Sequence, residues 1–140
     1  MFSWVYPSEY PQVNFEFVQN AISNRESYFI VNTLPFSQQS CLIRNTLNAS
    51  EEESMINDML TNIHIPDKKI VLYGKNYNDP TIKKKATQLS QLGIRDVYIY
   101  SGGMFEWMLL QDIYGDMEFP TTTKQLDILI YKPYCSKAVF

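Results

Sequence analysis

One histidine, two cysteines and five glycines are all that this 140-residue chain offers of the residues that most often build catalytic sites. The lone histidine, His64, sits before Pro66 with no serine in a strand-to-helix elbow for it to activate, which excludes a Ser-His-Asp hydrolase. Together with two scattered cysteines, Cys41 and Cys135, it also falls short of a spaced zinc-ligand set, so no metal is expected. Nor do two distant cysteines suggest a disulfide framework; reduced thiols in an intracellular, cytoplasmic protein fit better. Glycine is too sparse for a phosphate cradle. Gly74-Lys75 lacks both the upstream glycine and the following Ser/Thr of a P-loop, and Gly102-Gly103 lacks a third glycine at nucleotide-fold spacing. No cofactor is expected. A net charge of −3 and a pI near 5.1 argue against a nucleic-acid partner. The one basic run, Lys83 to Lys85, reads as a solvated helix face. No apolar run approaches the ~18 residues of a membrane span, and MFSWVYPSEYPQ lacks the basic start and apolar core of a secretory signal.

What is present is core-forming material. A hydrophobic fraction of 45% and an aromatic fraction of 14% suit one α/β domain over residues 1–140, and no repeat or linker interrupts it. The organising stretch runs from Lys69 to Gly115. Ile70 to Tyr73 is a short apolar run of the kind that forms a buried strand. Asp79-Pro80 supplies an N-cap and a first-turn proline, and Ile82, Ala86, Leu89 and Leu92 recur at helical spacing until Gly93 ends the helix. Val97 to Tyr100 is the next strand, and Gly102-Gly103 turns into a helix over Met104 to Asp112. This is a βαβ unit, so the sheet is at least partly parallel. Ligands of such sheets sit beyond the strands' carboxyl ends, here at Gly74, Lys75, Asn76, Tyr77, Asn78 and Asp79.

The remaining segments flank this unit. The aromatic segment 1–13, with Phe2, Trp4, Tyr6 and Tyr10 between prolines, is expected to pack across the domain surface. Asn14 caps a helix over Phe15 to Ser23. Tyr28 to Val31 reads as a strand, Phe36 to Ser40 as polar loop and Leu42 to Leu47 as a short strand. Ser50 and Glu53 have capping-box spacing for a helix that buries Met55, Ile56, Met59 and Leu60. The extension 116–140 contains the Phe119-Pro120-Thr121 turn, a short helix over Lys124 to Leu129 and a tail from Tyr131.

The order IVLY, loop, helix, Leu92-Gly93, Val97, Gly102-Gly103 and Trp107 resembles the signature of the rhodanese-like family, the single-domain sulfurtransferase fold. Phe29 to Asn32 resembles its first buried strand, and Cys41 to Ala49 (CLIRNTLNA) a worn form of its following segment. The resemblance implies an α/β fold with about five strands, mostly parallel, and helices on both faces. It also implies what has been lost. Active members place a cysteine thiolate directly after the IVLY-type strand, in a cradle with glycine and arginine; here those positions are Gly74, Tyr77 and Asp79. The family's sulfur transfer, and the chemistry of phosphatases related to it, are unavailable through this loop. The chain thus resembles catalytically degenerate members of the kind found in large DNA viruses and protists, and its Lys-, Asn-, Ile- and Tyr-rich composition suits such a source (host cytoplasm or virion if viral).

Three functions compete. A non-catalytic protein-binding, structural or regulatory module leads, with a protein as the expected partner and self-association through the terminal segments as a variant of it. Sulfurtransferase or redox chemistry through a relocated thiol, Cys41 or Cys135, is the alternative. Small-anion binding by the vestigial loop is the third, opposed by Asp79 and by any filling of the loop by Tyr77.

Overall fold

The structure, a computed structural model, describes residues 10–61 and 68–134. Three of its strands are β2 (Tyr28–Asn32), β3 (Lys69–Tyr73) and β4 (Val97–Tyr100), and a two-residue strand β1 (Gln12–Val13) completes a four-stranded sheet of order β1-β4-β3-β2. Every pairing is parallel, with Phe29 opposite Ile70 and Ile70 opposite Val97. Among the described residues the sheet thus has four strands, against about five expected. Leu42 to Leu47 does not form a strand: Asn45 adopts a left-handed conformation (φ 68°), so pairing there shrinks to single bridges, Thr46 with Ile30 and Ile43 with Thr121.

Alternation along β3 divides the core. Ile70 and Leu72 face the helices α2 (Ala49–Thr61) and α3 (Thr81–Gln91), where they pack with Met55, Met59, Ala86 and Leu89. Val71 and Tyr73 face α1 (Phe15–Ser23) and α4 (Gly103–Tyr114), where they meet Val18, Ala21, Met104, Trp107 and Met108. Burial on both sides explains why β3 reads as an unbroken apolar run. Trp107 is completely buried, packs edge-on against Phe119 at 5.1 Å and donates its indole N–H to Pro120 O.

Local signals set the helix ends. Asn14 Oδ1 accepts from Phe17 N at 3.1 Å to open α1. Gly93 (φ +90°) follows the last turn of α3, and Ile94 N reaches back to Leu89 O at 3.0 Å. The capping box of α2 lies two residues upstream of the expected Ser50 and Glu53: Glu51 N donates to Asn48 Oδ1 and Asn48 N to Glu51 Oε1. In that helix Leu60 is half exposed rather than buried. Lys85 is not wholly solvated, since it pairs with Glu52 at 2.6 Å and joins α3 to α2. The helix expected over Lys124 to Leu129 is a single 3-10 turn at Ile128–Tyr131, and Phe36–Gln38 forms another. Of the aromatic N-terminal segment, Tyr10 packs on the α3 side and bonds Ala86 O, while residues 1–9 lie outside the described residues.

Candidate functional site

The loop Gly74 to Asp79 leaves the carboxyl end of β3 and folds back on itself. Asp79 is its hub. Oδ2 accepts from Lys75 N at 2.9 Å, and Oδ1 accepts from Thr81 N at 3.0 Å and Thr81 Oγ1 at 2.6 Å. The helix starts one residue later than expected, with Pro80 rather than Asp79 at the cap position. Asp79 still braces its start through Thr81, and the same carboxylate reaches across the loop to the amide beside Gly74. An anion drawn to such a cradle would compete with a carboxylate already seated there.

Asn76 is the second hub. Its side chain is 7% exposed; Oδ1 accepts from Asn78 N at 2.9 Å and Nδ2 donates to Tyr131 O at 2.8 Å. The loop is thereby tied to the segment after α4. Tyr77 does not fill the loop, as it was expected it could: its ring is 74% exposed. Asn76 fills it instead.

The third support is the Gly102-Gly103 turn. Met104 N donates to Gly74 O at 2.9 Å and Phe105 N to Lys75 O at 2.8 Å, so the first amides of α4 bind loop carbonyls. Gly103 makes this approach feasible. It has φ +66°, and a Cβ there would lie 2.7 Å from Gly74 O. Sequence reasoning explained the glycine pair as a tight turn and missed its role as a seat for the loop.

Gly74 itself is walled in. A Cβ built on it would meet Asp79 Oδ2 at 2.6 Å, and Thr33 Oγ1 and Ile82 Cδ1 at 2.8 Å each. With this geometry in place, the sequence matches the family model of the rhodanese-like domain over residues 16–110. The chain belongs to the rhodanese-like domain family.

Solved structures agree on the fold. The BH2092 protein of Bacillus halodurans superposes with a TM-score of 0.54 at 17% identity, over 87% of this chain and 90% of that one. An As-Sb reductase from Leishmania major gives 0.52 at 19% identity, over 76% and 80%. A Lactobacillus plantarum protein gives 0.50 at 18%, over 71% and 82%. No curated protein matches the chain.

The described thiol of this rhodanese-like domain is Cys41. Cys41 is 2% exposed, and its Sγ donates to Thr123 O at 3.3 Å. It lies beside Tyr131, a phenol that burial holds well above its usual range, with the Cys41 contact adding to that rise. Tyr73, whose hydroxyl accepts from Ile43 N and meets Thr46 Oγ1 at 2.8 Å, is likewise held neutral by burial. Cys135 and His64 lie outside the described residues. Among the described residues no group of three or more His, Cys, Asp or Glu is placed to hold a metal, and no helix is long and apolar enough to cross a membrane.

Proposed function

We propose that this rhodanese-like domain is a catalytically degenerate member that works as a protein-binding, structural or regulatory module in the cytoplasm. A source in a large DNA virus or a protist is part of that reading and rests on composition. The observation that carries the proposal is the occupation of the catalytic position. Gly74 brings no nucleophile, and a Cβ there would have to push aside the side-chain ends of Asp79, Thr33 and Ile82. Sulfur transfer needs a thiolate stabilised by loop amides, and the amide of Lys75 is bound to the Asp79 carboxylate. A redox activity like that for which the Leishmania major neighbour is named needs an electron donor. The loop's Lys, Asn, Tyr and Asp side chains supply none.

A relocated thiol is less well supported. Cys41 is buried and its Sγ donates to Thr123 O, so it presents no accessible sulfur to a substrate. Small-anion binding meets the seated carboxylate of Asp79. The test is thiosulfate-to-cyanide sulfur transfer by the wild-type chain beside the Cys41→Ser/Cys135→Ser double variant. The expected outcome is no turnover in either. Turnover in wild type that disappears in the double variant assigns the chemistry to a relocated thiol and ends the non-catalytic reading.

A further inference from the structure

Beside the closed loop lies an open cleft of about 330 Å³ between the loop and the segment after α4. Lys75 and Lys132 line it from those two sides, and the Asn76–Tyr131 hydrogen bond fixes the two sides together. Among the described residues the one ion pair is Lys85 with Glu52, so neither cleft lysine has a carboxylate partner. Asp79 also lines the cleft, but three donors within the loop and the first turn of α3 occupy its oxygens. Beside the polar Thr33, Asn76, Asn78 and Thr81, the wall has an apolar stretch of Pro35, Leu129, Ile130 and Tyr134, with Leu129 61% and Tyr134 86% exposed.

From this juxtaposition we infer that the cleft docks an acidic segment of a protein partner, an extended peptide with a carboxylate flanked by apolar side chains. The inference rests on the protein-binding reading above and names the partner's chemistry. Charge complementarity selects the carboxylate, since two unpaired ammonium groups outnumber one carboxylate that is already satisfied. The apolar stretch selects a peptide over a free anion. Exposed ammonium groups are screened and hold a bare anion weakly, so useful affinity requires apolar surface buried alongside the charge. The Lys75 and Thr81 amides, which would favour a compact inorganic anion, are consumed by Asp79.

The experiment pans a random dodecapeptide phage library against the immobilised full chain. Selected sequences are synthesised and titrated by fluorescence anisotropy against wild type, Lys75→Glu/Lys132→Glu and Lys75→Arg/Lys132→Arg. The expected sequences carry Asp or Glu beside Leu, Ile or aromatic residues. Their affinity falls with NaCl, drops ~10-fold or more in the glutamate variant and survives in the arginine variant. Amide NMR shifts should move at Lys75 to Thr81 and Leu129 to Lys132. No enriched sequence, or peptides without carboxylates, overturns the inference. Displacement by sulfate beyond that by NaCl of matched ionic strength also overturns it, and assigns the cleft to small anions. Peptides that bind the glutamate variant unchanged overturn the cleft while leaving the protein-binding reading intact. That reading falls separately, through turnover in the sulfur-transfer assay.

Discussion

Asn76 makes two hydrogen bonds with one nearly buried amide, to Asn78 N and to Tyr131 O. Removing them leaves a buried carbonyl and an amide without partners, so Asn76→Ala is expected to cost about 1–3 kcal/mol. Urea denaturation measures this, and a loss within experimental error of zero would show that the loop is held by its backbone alone. Nothing in one sequence marks Asn76 for the task. An asparagine in a polar loop reads as a turn residue, and its partner Tyr131 lies far along the chain. Asp79 was half legible. Its position before Pro80 marked the start of a helix, but the second bond, to Lys75 N, depends on how tightly the loop curls. Tyr77 misled because an aromatic ring in a loop suggests filling, whereas the loop's path points it into solvent.

Most elements were legible because their periodicity is strong. The sequence places α1, β2, β3, α3, β4 and α4 within a few residues of where the structure has them. Failures fall where two local patterns compete. Ser50/Glu53 and Asn48/Glu51 both have capping-box spacing, and the structure uses the second. Asn48→Ala is therefore expected to destabilise the domain by about 1 kcal/mol, with Ser50→Ala close to neutral. Thermal melts of the two variants decide it; a larger loss from Ser50→Ala contradicts the observed cap. The absence of a strand over Leu42 to Leu47 has a comparable cause. Leu42 to Leu47 has strand-like apolar residues, yet Asn45 takes a left-handed conformation and its side chain bonds Ile22 O on α1. A short polar residue tolerates that conformation, and the segment becomes a clasp rather than a strand. The 3-10 turn at Ile128–Tyr131 was unreadable in advance because Ile128, Ile130 and Tyr131 are drawn in by packing against α4.

At the scale of the molecule, buried phenols set a limit at alkaline pH. Burial raises Tyr73, Tyr100 and Tyr131 above the usual value of 10.0, with the Glu106 charge adding to the effect at Tyr100. Above that pH the unfolded chain releases these protons while the fold retains them, so the unfolded state binds fewer and stability falls as pH rises. Their contribution is fully present below pH 10 and is lost above it. Denaturation midpoints should thus show no phenol-linked slope between neutrality and pH 9 and should drop beyond about pH 10. A flat profile through pH 11 would show that the phenols ionise in place.

Family membership was legible because the signature residues survive, and the glycine that follows β3 is plain in the sequence. The loop's internal bonding was not legible, since it runs from Asp79 to Lys75, from Asn76 to Tyr131 and from α4 back to Gly74. On the proposed reading this closure, and not merely the absence of sulfur, silences the site. The most direct test is sulfur transfer from thiosulfate to cyanide by the Gly74→Cys variant. A Cβ at that position meets Asp79, Thr33 and Ile82 at 2.6–2.8 Å, and the Lys75 amide already binds a carboxylate. The account predicts a folded but destabilised protein without turnover. Turnover that appears on this single substitution would mean that the cradle is open and only its cysteine was missing.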